Sequence, residues 1–260
     1  MYLRWGLRKP FPIVKDKYKS DMEERKRKMI SAILTIDDIA SKNTPAIVDY
    51  LNEKGIQAVL FATGKNVERY YEEAIYAVKN GMIVGNHSYS HPSFSSLSIE
   101  ECIEEIENCE AVLTQLYKSA GVERAFRPFR FPYGDKGGEN KLALQEYLAE
   151  NGFNKVKDNQ IPYQWWRENG LDKDIDTFWT FDFGEYNIRP GSGFSQETVW
   201  ERMHDTSPKL GAPLFANNAH HILLLHAHDE TEKLLPEYYK LFIEHLLENG
   251  ISFEKPAFFV

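Results

Sequence analysis

Cysteine is almost missing from this 260-residue chain. The two present, Cys102 and Cys109, share one segment of helical pattern, where seven positions of separation hold the α-carbons about 10 Å apart, beyond disulfide reach. A disulfide-held framework is thereby excluded, and the thiols are expected as small buried hydrophobes on one helix face. No apolar run of about 18 residues occurs, and the opening MYLRWGLRKPFPIVKDKYKSD lacks the charged-then-apolar order of a signal peptide. Membrane insertion is not expected, and the chain as written reads as cytoplasmic. A chain trimmed of an export signal would read the same, and would then belong outside the cell or at the cell wall. Positive charge is also short: 31 Lys and Arg against 39 Asp and Glu leave a net charge of -8. Such a chain gains nothing from counterion release on phosphates, so nucleic acid is not an expected partner.

Several motifs are absent too. There is no Gly-x-Gly-x-x-Gly after a strand, no Gly-x-Ser-x-Gly elbow and no Cys-x-x-Cys. Gly64-Lys65-Asn66 resembles the end of a phosphate loop, but Val59 stands at the first glycine position and Asn66 replaces the hydroxyl residue.

What the chain does have is large rings: 16 Phe, 14 Tyr and 5 Trp, enough to fill a sizeable core and leave some for a binding surface. From Met29 onward, apolar strand-like runs alternate with helical patterns. The runs are 30–36, 57–63, 82–85, 125–131, 153–156, 177–183 and 222–225, with 251–253 near the end. The helical patterns cover 44–54, 67–80, 98–120, 139–151, 196–204 and 231–248, several followed by a glycine suited to a helix C-terminus. Alternation of this kind means parallel strands joined by crossovers, and about seven strands favours a barrel over an open sheet. The stretch Lys157–Asp176 breaks the rhythm and reads as an insertion on a rim.

Polar, titratable residues follow five of the apolar runs: Asp37 and Asp38, Asn86 and His87, Arg130 and Tyr133, Asp182 and Glu185, and His226. Strand C-termini of a β/α barrel converge on one face, so these side chains would share a site. Adjacent carboxylates such as Asp37-Asp38 repel unless one meets a cation, which lowers that residue's pKa and frees the other as a base; a helix N-cap is the plainer alternative. His87 and His91, four positions apart, would lie on one face of a helical turn and could chelate one ion, or simply be two loop histidines. With one carboxylate they give two nitrogens and an oxygen, a set that suits zinc and tolerates cobalt, nickel or iron. Arg130 can hold a carboxylate or make a rim salt bridge. His226 is either a hydrogen-bonded core residue or a general acid beside an ion. Trp165 and Trp166, with Tyr163, could stack on sugar faces or form a satellite core beneath a long loop. His228, His220 and His221 are expected in loops, without a clear role.

These residues stand in an order that resembles the polysaccharide deacetylase family, carbohydrate esterase family 4. The resemblance runs from about residue 31 to the C-terminus: Thr35-Ile36-Asp37-Asp38, then His87-Ser88-x-x-His91-Pro92, then Arg130-x-Pro132-Tyr133-Gly134, with weaker counterparts at Trp179-x-x-Asp182-x-x-Glu185-Tyr186 and Leu224-Leu225-His226. It implies a distorted (β/α)7 barrel, here a catalytic domain over residues 29–260; residues 1–28, basic and Pro-containing and then heavily charged, read from their composition as an N-terminal arm or a short covering helix. It also implies a divalent metal on Asp38, His87 and His91, Asp37 as base oriented by Arg130, and His226 as general acid partnered by Glu185 or Asp182. The backbone N–H at Tyr133 would help form an oxyanion hole, and Tyr133, Leu225, Trp165 and Trp166 are the expected substrate contacts. Three departures stand out: Ile39 where the family has Gly, Glu185-Tyr186 where it has Asp-Trp, and Ala227 where a polar residue is common. The expected reaction is removal of an acetyl group from an N-acetylated sugar. A metal-dependent amidase, an O-acetyl esterase and a non-catalytic carbohydrate-binding barrel are the competing readings, while a strand-end aspartate phosphatase would want Asp-x-Asp. Oligomeric state is not readable from the sequence.

Overall fold

The computed structural model describes residues 30–259, so the arm expected over residues 1–28 lies outside the described residues. The central strand is β1 (Ile30–Ile39), which pairs in parallel with β2 (Val59–Ala62) on one side and β5 (His220–His226) on the other. β3 (Ile83–Asn86) extends the sheet beyond β2, β4 (Phe181–Asp182) beyond β5, and β6 (Ile251–Phe253) pairs with the first residues of β1. Every ladder between named strands is parallel, which is why helical crossovers separate them.

Single contacts close this sheet into a ring. Asn86 bridges Phe129, Asn154 N–H donates to the Arg127 carbonyl (3.0 Å), and Thr177 N–H donates to the Phe129 carbonyl (2.8 Å). The segments 125–131 and 153–156, expected as strands, are therefore extended staves rather than ladders. Pro128 supplies part of the reason, since it has no N–H to give.

The helices are α1 (Thr44–Glu53), α2 (Gly64–Arg69), α3 (Tyr71–Lys79), α4 (Ile99–Ala120), α5 (Lys141–Glu150), α6 (Gln164–Glu168), α7 (Gln196–His204), α8 (Asp229–Leu234) and α9 (Tyr238–Glu248). Two expected helices are broken. The 67–80 pattern starts earlier, where Thr63 caps α2, and parts at Tyr70, whose φ of -125° and ψ of 54° are not helical. The 231–248 pattern parts at Pro236, which cannot continue a helix, and Glu237 follows with φ +58°. α4 carries the expected capping box of Ser98 and Glu101, and Gly121 ends it in the left-handed region. Its buried stripe includes Cys102 and Cys109, both free thiols. Among the described residues no helix is long and apolar enough to cross a membrane.

Strand alternation sends one set of side chains outward, where Leu34, Ile36, Leu60, Leu223 and Leu225 pack beneath α1 to α4 and α9. The other set points into the barrel. There Ile33, Val59, Phe61 and Ile222 meet Val156, Ile161, Trp166, Leu171 and Phe258. The insertion at 157–176 is thus not a rim ornament: it plugs the barrel interior below the strands' C-terminal ends. Lys155 and Trp166 anchor it through Asp158 (2.9 Å each), and Lys136 takes Asp174 and Asp176 at its far end (2.7 and 2.9 Å).

Candidate active site

Strict alternation would turn Asp37 and Asp38 to opposite faces of β1. The pairing of β1 with β2 slips between Ile36 and Ile39, and Asp38 takes φ +64°, so the bulge aims both carboxylates into the cleft. The local backbone is held by Asn66, whose Nδ2 donates to the Asp38 carbonyl (2.8 Å).

After β3 the chain does not make the helical turn expected at 87–91. Ser88 and His91 adopt φ of +66° and +62°, and the segment is an irregular loop. It is nevertheless tied at nearly every polar atom. Ser88 N–H donates to Asn86 Oδ1 (2.8 Å), His91 N–H to Ser88 Oγ (3.0 Å), and Ser90 gives Glu105 of α4 both its N–H (2.7 Å) and its hydroxyl (2.6 Å). Asn86 is fixed in turn by Glu110, which also takes Arg124 (2.7 Å) and Arg127 (2.9 Å). His87 Nδ1 lies 2.8 Å from the Arg130 carbonyl, a contact that requires Nδ1–H and leaves the Nε2 lone pair free.

That nitrogen faces the aspartates. Asp38 Oδ1 lies 3.8 Å from His87 Nε2 and 3.4 Å from His91 Nε2, and one ligand atom from each of the three residues falls within 4.8 Å of the others. Two neutral-capable nitrogens and one carboxylate oxygen at this spacing fit a divalent transition metal. Burial opposes ionisation of Asp38, yet the bond from His228 and the nearby imidazoles hold its carboxyl well below the usual range. Burial, then the neighbouring His87, pushes His91 down to about 4.

Asp37 is almost fully buried and meets Arg130: Nη1 donates to Asp37 Oδ1 (2.7 Å) and to Thr35 Oγ1 (2.8 Å), while Nε donates to the Thr177 carbonyl (2.9 Å). The guanidinium is wholly buried, 4.4 Å from the Phe61 ring centroid and 5.5 Å from that of Trp179. It holds Asp37 from below, with the other carboxylate oxygen 3.4 Å from His87 Nε2.

Across the cleft, the Glu185–Asp182 ambiguity has a geometric answer. Glu185 Oε1 accepts from the His226 N–H (2.5 Å) and lies 3.3 Å from its Nδ1, whereas Asp182 Oδ1 accepts from Gly184 N–H (2.8 Å). Burial works against an imidazolium here, but the Glu185 charge and hydrogen bond outweigh it and raise His226 to about 9. Burial also raises Asp182, to about 6. Tyr133 turns at φ +60°, its ring 4.5 Å from that of His91. Gly134 follows because a Cβ there would fall 2.7 Å from Phe178 and 2.8 Å from Trp179.

The resulting cleft has a volume of about 380 Å³. It brings together Asp37, Asp38, His87, His91, Tyr133, Asp182 and His226, while Arg130 and Glu185 support it from behind. Three expected contacts are elsewhere. Leu225 points outward into the helix layer and Leu224 lines the cleft instead, as period-two alternation from His226 requires. Trp166 is buried in the barrel interior and the half-buried Trp165 packs beside it, and neither ring lines the cleft. Trp179, Tyr186, Arg189 and His228 also line the cleft. Of these His228 had a readable signal: two positions past His226, it returns to the same face of the chain.

Comparison with known proteins places this arrangement in context. The family model described as polysaccharide deacetylase matches residues 24–154. A peptidoglycan-N-acetylglucosamine deacetylase from Bacillus cereus is 33% identical over 103 residues, covering 39% of this chain and 36% of the relative. Chitin deacetylase 1 from Cryptococcus neoformans is 34% identical over 103 residues, covering 39% of this chain and 21% of the relative. This chain thus spans well under half the length of either curated relative. Among solved structures, a CE4 esterase from Streptococcus mutans superposes with a TM-score of 0.62 at 16% identity, over 91% of this chain and 90% of that one. The shared fold is the distorted (β/α)7 barrel.

Proposed function

The chain belongs to the polysaccharide deacetylase family, and from that premise we propose that it is a metal-dependent hydrolase that removes acetyl groups from an N-acetylated sugar or polysaccharide. The observation that carries the reading is the pairing of an Asp38–His87–His91 cluster with a second carboxylate, Asp37, that stays outside that cluster and is held by Arg130. A divalent ion on Asp38, His87 and His91, zinc by its ligand set, would supply Lewis acidity, polarising the acetyl carbonyl and easing deprotonation of the attacking water.

The chain's own groups do the rest. Asp37 takes a proton from water as its oxygen adds to the acetyl carbon. The Tyr133 N–H stabilises the developing oxyanion; one such donor typically supplies about 3 kcal/mol. His226, held through Nδ1 by Glu185, keeps Nε2 for the substrate and protonates the departing nitrogen as the C–N bond breaks, which yields acetate and a free amine. Relatives named as peptidoglycan and chitin deacetylases support an acetylated glucosamine polymer as the substrate class.

The test is acetate release from a panel of N-acetylated glycans, O-acetylated sugars and small amides, with Asp37→Asn alongside. The expected result is release from N-acetylated glycans by the zinc-loaded wild type and loss of turnover in the variant with full zinc content. Turnover of small amides without acetate production would reject the deacetylase reading.

A further inference from the structure

His228 is absent from every motif that points to the site, yet its imidazole reaches the centre of it. Nε2 lies 2.7 Å from Asp38 Oδ2, the carboxylate oxygen on the side away from His87 and His91, which both face Oδ1. The two oxygens of one side chain are therefore divided between two tasks. A carboxylate with one oxygen already engaged offers the other as a single, directed donor. Left free, it could rotate and take an ion through both oxygens, or swing out of reach of the imidazoles.

The segment that carries His228 is itself fastened to the segment that carries Asp38. Asn43, after β1, donates its N–H to Asp229 Oδ1 (3.2 Å) and its Nδ2 to Glu232 Oε2 (3.1 Å), both residues of α8. His228 stands at the start of that helix, where its carbonyl accepts from Glu232 N–H (3.1 Å). The contact with Asp38 adds to these two bonds, and beside it Ala227 N–H donates to the Asp37 carbonyl (3.0 Å). His228 does not itself join the cluster of Asp38, His87 and His91 atoms that lie within 4.8 Å of one another.

Resting on the proposed ion site, we propose that His228 is a positioning residue for it: by donating from Nε2 to Asp38 Oδ2 it fixes Asp38 as a one-oxygen ligand. The role is indirect, since the imidazole acts on the carboxylate and not on the ion.

Zinc affinity tests this without reference to turnover. Wild type, His228→Ala, His228→Gln and Asp38→Ala are titrated with zinc against a chromophoric chelator, and the cobalt-loaded proteins are compared by visible absorption. His228→Ala is expected to bind zinc 10- to 100-fold more weakly, the usual loss when a ligand's orienting partner is removed. His228→Gln, whose Nε2–H reaches to a similar distance, is expected to return within about threefold of wild type. The cobalt spectrum of His228→Ala should still report both nitrogen ligands, with any change confined to the oxygen coordination that the released Asp38 carboxylate supplies. Wild-type zinc affinity in His228→Ala would overturn the proposal, as would failure of His228→Gln to recover it, or a cobalt spectrum reporting a lost nitrogen ligand. If Asp38→Ala binds zinc as tightly as wild type, the ion site itself is misassigned, an outcome separable from the others and equally fatal to the proposal.

Discussion

Replacing Glu185 by Gln keeps the shape of the site and removes one charge. Glu185 is fully buried, and with Asp182 and Asp37 it is what raises His226 from 6.5 to about 9 against the pull of burial; the His228 ring, 5.5 Å away, faces it from the other side. That elevation amounts to roughly 3 kcal/mol of preference for the imidazolium. In the variant the pKa falls back toward 6.5. If protonated His226 delivers the proton to the departing nitrogen, the alkaline limb of kcat/KM moves with it. At pH 7.5 the protonated fraction drops about tenfold, and at pH 8.5 on the order of eightyfold, while activity near pH 6 changes little. A bound divalent ion lowers the limb in both proteins, so the quantity to read is the displacement between them. The assay is acetate release from an N-acetylglucosamine oligomer between pH 5.5 and 9.5. Stability carries the same signature. Because the folded pKa is raised, the contribution is fully present below pH 6.5 and fades as pH rises through 9, so the two proteins' Tm values should converge at high pH. An alkaline limb that stays put in Glu185→Gln, with Tm differences independent of pH, would refute the assignment of this pair.

Other outcomes follow from the same geometry. Arg130→Ala strands the buried Asp37 carboxylate, and urea unfolding should register a loss of about 3–5 kcal/mol together with loss of turnover. Trp166→Ala should lower stability by about 3–5 kcal/mol, whereas Trp165→Ala should leave KM for glycan within about threefold, since neither ring reaches the cleft. Removal of divalent ions with a chelator should abolish acetate release and zinc should restore it, checked by elemental analysis of the stripped and reloaded protein.

Much of the site was legible because its residues follow strands in the chain. Asp37, Asp38, His87, Tyr133, Asp182 and His226 each sit at or just past an apolar run, and a barrel gathers strand ends whatever their separation in sequence. What was not legible depended on direction rather than position. The bulge that turns Asp38, the left-handed loop at Ser88 and His91, and the outward face of Leu225 are set by backbone angles and register. The break at Pro236 carried its own signal, but that at Tyr70 carried none, since its neighbours are good helix formers. The tryptophans misled for a physical reason: an interruption in periodicity reveals that a segment is inserted, not whether it folds over the barrel or into it.

The plug made by Ile161, Trp166 and Leu171 has a consequence for how a long glycan, the proposed substrate class, would be approached. Among the described residues the barrel interior below the cleft is filled by this cluster, which leaves no channel there for a polymer to be threaded through. Under the proposed reaction a glycan would reach Asp37 and His226 by lying across the open mouth, so neither of its termini would have to be free and internal sugars would be as accessible as those at the ends.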